Sequence, residues 1–126
     1  MGQRDDGNVW LFPESREAAK DEARGALIEF ARKQKTVAYS DLVQRMKALD
    51  LQAHDPRLDE LLGQISTEEA EQGRGMLSVL VVHKTGDLRP GRGFYKCAAA
   101  LGLDISDEDR LWVDQINKVY AAWPKL

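Results

Sequence analysis

The chain has 126 residues, 43% of them hydrophobic, with 18 cationic and 21 acidic side chains and a formal net charge of −3. That size fits one domain, residues 1–126, with one continuous core, and the net charge offers no global attraction to nucleic acid or anionic membrane. The most apolar run, Leu77–Val82, is far too short to span a bilayer; the polar, acidic stretch Met1–Asn8 is not of signal-peptide type, and the lone Cys97 allows no intrachain disulfide, so the expected location is cytoplasmic.

In chain order, Val9–Pro13 is a short apolar stretch, and Pro13 with Ser15 marks a helix start. Ala19, Ala23, Ala26, Leu27 and Phe30 recur at helical spacing, so Arg16–Gln34 is expected to be an amphipathic helix. Val37 and Tyr39 suit a short extended segment. Ser40 is then expected to cap a second helix, Ser40–Leu49, with Leu42, Val43, Met46 and Leu49 inward. Asp50–His54 reads as a loop. Asp55 followed by Pro56 is an N-cap with proline at the first helical position, opening a third helix whose buried stripe is Leu58, Leu61, Leu62 and Ile65. Ser66 and Glu69 have capping-box spacing, which suggests a restart as a short fourth helix. Leu77–Val82 reads as a buried strand, Lys84–Asp87 as a turn, and Phe94–Tyr95 as a return strand. A short helix is expected over Lys96–Leu101, stopped by Gly102, and a last helix capped by Ser106 with the stripe Trp112, Ile116, Val119, Tyr120 and Trp123. The fold class expected is α+β and mostly helical: a winged-helix-like core over residues 36–96, an N-terminal amphipathic helix and a C-terminal aromatic-rich helix.

Charge is uneven along the chain. Between His83 and Lys96, four cations (Lys84, Arg89, Arg92 and Lys96) face Asp87 alone. Gly86-x-x-x-x-Gly91 begins like a phosphate-binding loop, but Arg92-Gly93 replaces the lysine and hydroxyl that such a loop needs. Gly91-x-Gly93 begins a dinucleotide fingerprint, but Lys96 occupies its third glycine position. A basic wing fits better: Arg89 and Arg92 flank Pro90-Gly91, a tight turn that would hold cations out for phosphate contact.

Three stretches, "TVAYSDL", "PRLDELLGQI" and "LSVLVVHKTGDL", resemble the winged-helix domain of the O6-alkylguanine-DNA alkyltransferases and the alkyltransferase-like proteins, over roughly residues 36–93. The resemblance implies that Tyr39 presses on a backbone phosphate and that Arg57 enters the stack left by a flipped nucleotide. The family's Pro-Cys-His-Arg would fall near Leu77–Leu80, which reads Leu-Ser-Val-Leu. The alkyl-accepting thiol and its activating histidine are therefore missing, and alkyl transfer is not expected.

No catalytic or metal constellation stands out. Cys97 has no adjacent histidine, and reads as a structural thiol; His54 and His83 have no partners at ligand spacing. Asp104–Gln115 has aspartate at the sixth position of a calcium loop and glutamine at the twelfth, and reads instead as an acidic first helical turn. The functional expectation is a non-catalytic module with no cofactor and no small-molecule substrate. It would associate with double-stranded DNA through Lys84, Arg89, Arg92 and Lys96, with Arg57 and Tyr39 as secondary contacts. The alternative is a protein–protein adaptor or homodimer in a larger bacterial assembly, using the acidic third helix and the aromatic last helix.

Overall fold

A computed structural model describes residues 12–84 and 89–125. The expected stretch Val9–Leu11 and most of the expected turn at Lys84–Asp87 lie outside them. The first helix, α1, runs Pro13–Arg32 and begins with proline at its first turn. Its buried face is built from Ala19, Ala23, Ala26, Leu27 and Ala31, small side chains that let neighbouring backbone approach. Gln34, at φ +56°, closes the helix in the left-handed region. Its N–H donates to Ala31 and that of Lys35 to Phe30, which satisfies carbonyls that the last turn leaves open.

Strand β1, Val37–Ala38, leads directly into α2, Tyr39–Gln44. Ala38, not Ser40, is the N-cap, and α2 stops five residues before the expected end. The Glu22 carboxylate of α1 accepts the N–H groups of Lys47 and Ala48, both at 2.9 Å, which draws the chain out of helical register. Met46 and Leu49 still bury, from irregular backbone. Helix α3, Pro56–Glu71, starts as expected: Asp55 caps it by accepting from Arg57 N–H, and Leu58, Leu61, Leu62 and Ile65 are buried. It does not restart at Ser66. Ser66 and Glu69 lie one turn further along the same buried face, and both are almost fully covered.

Only Val81–Val82 of the expected strand is β, as β2; Leu77–Leu80 is a 3₁₀ turn with all four side chains buried. A regular strand needs a ladder partner along its length, and β1 supplies two residues, pairing in parallel as Val37↔Val81 and Ala38↔Val82. The expected return strand is helical: Phe94 and Tyr95 lie in α4, Arg92–Ala100, with Gly102 at φ +85° after it. The two-stranded sheet is thus β1–β2, with no hairpin among the described residues. The last helix, α5, runs Glu108–Ala122 and is capped by Asp107, while Ser106 instead donates to Asp104 Oδ1.

The core surrounds Met76–Val82, packed between α1, α3 and α5. Two polar side chains reach in to serve its backbone. Gln115 Oε1 accepts Met76 N–H at 2.9 Å, and Ser66 Oγ accepts Ser78 N–H at 3.0 Å. Gly75, at φ +87°, sits where a Cβ would press 2.9 Å from Lys118 Cβ, so the chain can pass α5 only there without a side chain. The seam between α1 and α3 is ionic. Lys20 donates to Glu68 at 2.9 Å, Arg24 also engages Glu68 and lies 3.8 Å from the buried Glu69, which receives Arg74 from just beyond α3 at 2.6 Å.

Two measurements test these packing claims. Gln115→Leu removes the acceptor of a buried N–H, and urea unfolding should show a loss of about 1–3 kcal/mol. The ion pair with Lys20 holds the Glu68 carboxyl below its ordinary 4.5. Its contribution is therefore present above that value and fades as pH falls through the lowered pKa. Glu68→Gln should cost at most about 1 kcal/mol at neutral pH, because the pair is partly exposed, and should flatten the acid limb of a stability–pH curve.

Candidate nucleic-acid interface

Parallel pairing decides what faces what. Val37↔Val81 and Ala38↔Val82 carry the register on to Tyr39 and His83, whose rings lie side by side with centroids 5.4 Å apart. The Tyr39 hydroxyl accepts the N–H of Gly91 at 3.0 Å, tying the start of α2 to the start of α4. Burial raises the Tyr39 pKa above 10.0; the Gly91 N–H opposes that shift and the nearby Asp59 adds to it. The glycines that resembled a nucleotide motif are there for close packing. A Cβ on Gly91 would lie 2.9 Å from Tyr39 Oη and 3.4 Å from His83 Nε2, and one on Gly93 would lie 3.4 Å from Asp59 Cγ.

These contacts frame a cleft of about 690 Å³, lined by Tyr39, Ser40, His54, Asp59, His83, Lys84, Arg92 and Lys96 together with Gly91 and Gly93. Four of the six expected contact residues therefore share one site: Tyr39, Lys84, Arg92 and Lys96. The first turn of α4 opens onto it and adds the positive end of a helix dipole. Lys84 and Lys96 are exposed at its rim. Asp59 opposes an incoming anion; burial raises its carboxyl pKa and Lys96 pulls it back down. His54, His83 and Asp59 escaped the sequence reading as members of this site. The sole hint was a histidine at the end of the buried run.

The other two expected contacts are held elsewhere. Arg57 folds back on the residue that caps its own helix, with Nη2 2.7 Å from Asp55 Oδ2, and the pair lowers the Asp55 pKa. Arg89 lies over the Trp112 ring, 5.3 Å from its centroid, and is paired with Asp109. The N–H of His83 donates to the Arg89 carbonyl at 3.0 Å. Cys97 is half-buried, with Sγ 3.7 Å from the Gly63 carbonyl oxygen and 3.8 Å from Thr67 Oγ1. On α5, Leu111 and Val119 are buried, and Trp112, Ile116 and Tyr120, with Trp123 at its C-cap, pack against the core; of its large apolar residues Val113 is exposed, at 44%. Among the described residues no group of three or more His, Cys, Asp or Glu is placed to hold a metal ion, and no helix is long and apolar enough to cross a membrane.

Tyr39→Phe tests the α2–α4 tie. It leaves the Gly91 N–H without its acceptor and should cost about 1 kcal/mol in denaturant unfolding. In an alkaline absorbance titration the variant should lose one tyrosine that ionises above 10.0. Because that pKa is raised on folding, the stabilising effect is complete below the unfolded value and is lost as pH rises through the folded one; the variant should therefore fall less steeply in stability on that limb.

No protein-family model, no curated protein and no solved structure matches the chain.

Proposed function

We propose that this protein is a non-catalytic, mostly helical, nucleic-acid-associated module, and that it holds backbone phosphate at the mouth of the Tyr39–Lys96 cleft. The observation that carries this reading is convergence. Tyr39 from α2, Lys84 from the end of β2, and Arg92 and Lys96 from α4 come from three separate parts of the chain and line one surface. Phosphate recognition needs mobile cations beside oriented donors. Exposed lysines, a helix N-terminus and a phenol supply those groups together. The tyrosine is also the residue that the alkyltransferase resemblance assigns to phosphate contact.

The buried 3₁₀ turn favours binding over chemistry. The resemblance would put that family's reactive thiol at Leu77–Leu80, and those residues are a core segment whose Ser78 hydroxyl is bonded to Ser66 Oγ at 2.6 Å. The acidic surface of α3 limits where a duplex fits. Asp59 and Glu60 are exposed on that helix, and carboxylates laid along phosphates repel them. The reading therefore places the duplex on the α4 side of the cleft, away from the body of α3.

The test is fluorescence anisotropy of a labelled duplex across a salt series. The wild-type protein should bind at low salt, and log K should fall linearly with log salt concentration. Lys84→Gln with Lys96→Gln should weaken binding at every salt concentration and reduce the slope by roughly 2, since each phosphate contact contributes about 0.9. No binding at low salt, or a double variant that binds like the wild type, would contradict the reading.

A further inference from the structure

Arg89 and Arg92 have the same surroundings. Each guanidinium lies over an aromatic ring and meets one carboxylate from the first turn of α5. Arg89 sits over Trp112 and pairs with Asp109. Arg92 sits 5.1 Å from the Tyr95 centroid and pairs with Glu108, with Nη1 3.0 and 3.1 Å from its two oxygens. The two acids are consecutive residues, reaching back 20 and 16 positions along the chain. A carboxylate oxygen on a guanidinium nitrogen takes a place that a phosphate oxygen could take instead. A stacked aromatic holds the guanidinium in place whether or not the anion stays.

We propose that the Arg89–Arg92 pair is a further phosphate-contact surface of this protein, occupied in the free state by Glu108 and Asp109 as an intramolecular substitute for nucleic-acid phosphate. The inference rests on the proposed nucleic-acid reading and adds an autoinhibitory contact to it. Both carboxylates are solvent-accessible, Asp109 at 70% and Glu108 at 38%; Arg92 is 68% exposed and Arg89, against its indole, 32%. Exposed pairs of this kind exchange partners at little cost, so a polyanion can displace them where it could not displace a buried pair. Asp107 caps α5 independently, accepting Arg110 N–H at 3.1 Å, so the helix start does not depend on the two acids that would move. The arrangement also explains why the basic segment lies against an acidic helix start: the free protein masks its own arginines until a stronger anion arrives.

The experiment compares the wild type with Glu108→Gln/Asp109→Asn in duplex-binding anisotropy across a salt series. Glu14→Gln/Asp21→Asn on α1 serves as a control with the same change in net charge. Removing the competing carboxylates should raise duplex affinity about five- to tenfold, the range expected when two exposed pairs no longer compete. The salt slope should steepen by up to ~2 as two arginines gain phosphates, while the control changes far less. Adding Arg89→Ala/Arg92→Ala to the first variant should erase the gain. If the acid-neutralised variant binds no better than the wild type, or the control gains as much, or the gain survives loss of the arginines, the inference is overturned while the nucleic-acid reading stands. If none of the proteins binds at low salt, the nucleic-acid reading and the inference both fall.

Discussion

The burial of Met76–Val82 is the constraint on which the rest of the structure depends. This stretch passes through the interior between three helices without being a helix or a full strand itself. Its backbone groups cannot reach water, and a buried amide without a partner costs as much as the removal of a well-packed methylene or more. The chain meets that demand piece by piece. Gln115 serves Met76, Ser66 serves Ser78, the 3₁₀ turn serves Val79 from Met76, and β1 serves the two valines at the end. Each partner lies on a different element, so the segment also fixes where α3, α5 and β1 lie relative to one another. The Ser66 and Gln115 side chains are therefore core residues despite their polarity.

The cleft follows from that arrangement. Two residues of parallel pairing set the register of β1 against β2, and the residue after each strand, half-buried Tyr39 and exposed His83, lies beside the other. Helix α4 then docks against them through Gly91 and Gly93, where a side chain at either position would meet Tyr39, His83 or Asp59. The basic stretch is held at this surface because α4 begins there. Its glycines answer a packing requirement, while Arg89 and Arg92 are paired with Asp109 and Glu108 and Lys84 and Lys96 are exposed to solvent.

Much of α1 and α3 was legible in the sequence because their signals are local. Proline at the helix start, the Asp55-Pro56 cap and the leucine stripe of α3 each depend on residues within a turn or two. The misreadings share a cause: a pattern with two physical sources. Ser66 and Glu69 stand three apart, which suits a capping box and equally suits two neighbours on one buried face. Leu77–Val82 is apolar throughout, as a buried strand is, but so is any segment covered on every side. Phe94–Tyr95 after the turn read as a return strand, while the alanines after Cys97 favour helix and the helix simply starts four residues earlier. The members of the cleft that went unread, His54 and Asp59, lie 29 and 24 positions before His83 in sequence and join it only in the folded chain. The pairings of Arg89 with Asp109 and of Arg92 with Glu108 were hidden for the same reason.

The charge pattern now has a spatial meaning. The excess of acid in the chain is spread over helix faces and helix starts, whereas Lys84, Arg92 and Lys96 share one cleft rim. A net charge of −3 therefore does not describe the surface that a polyanion would meet. The most direct test of that claim is residue-resolved: amide chemical-shift changes in ¹⁵N-labelled protein as an unlabelled duplex oligonucleotide is added at low salt. The account predicts that the changes centre on Tyr39, His83, Lys84, Gly91, Arg92, Gly93 and Lys96. Shifts centred on the outer face of α3 or on the far end of α5, or no shifts at all, would contradict it.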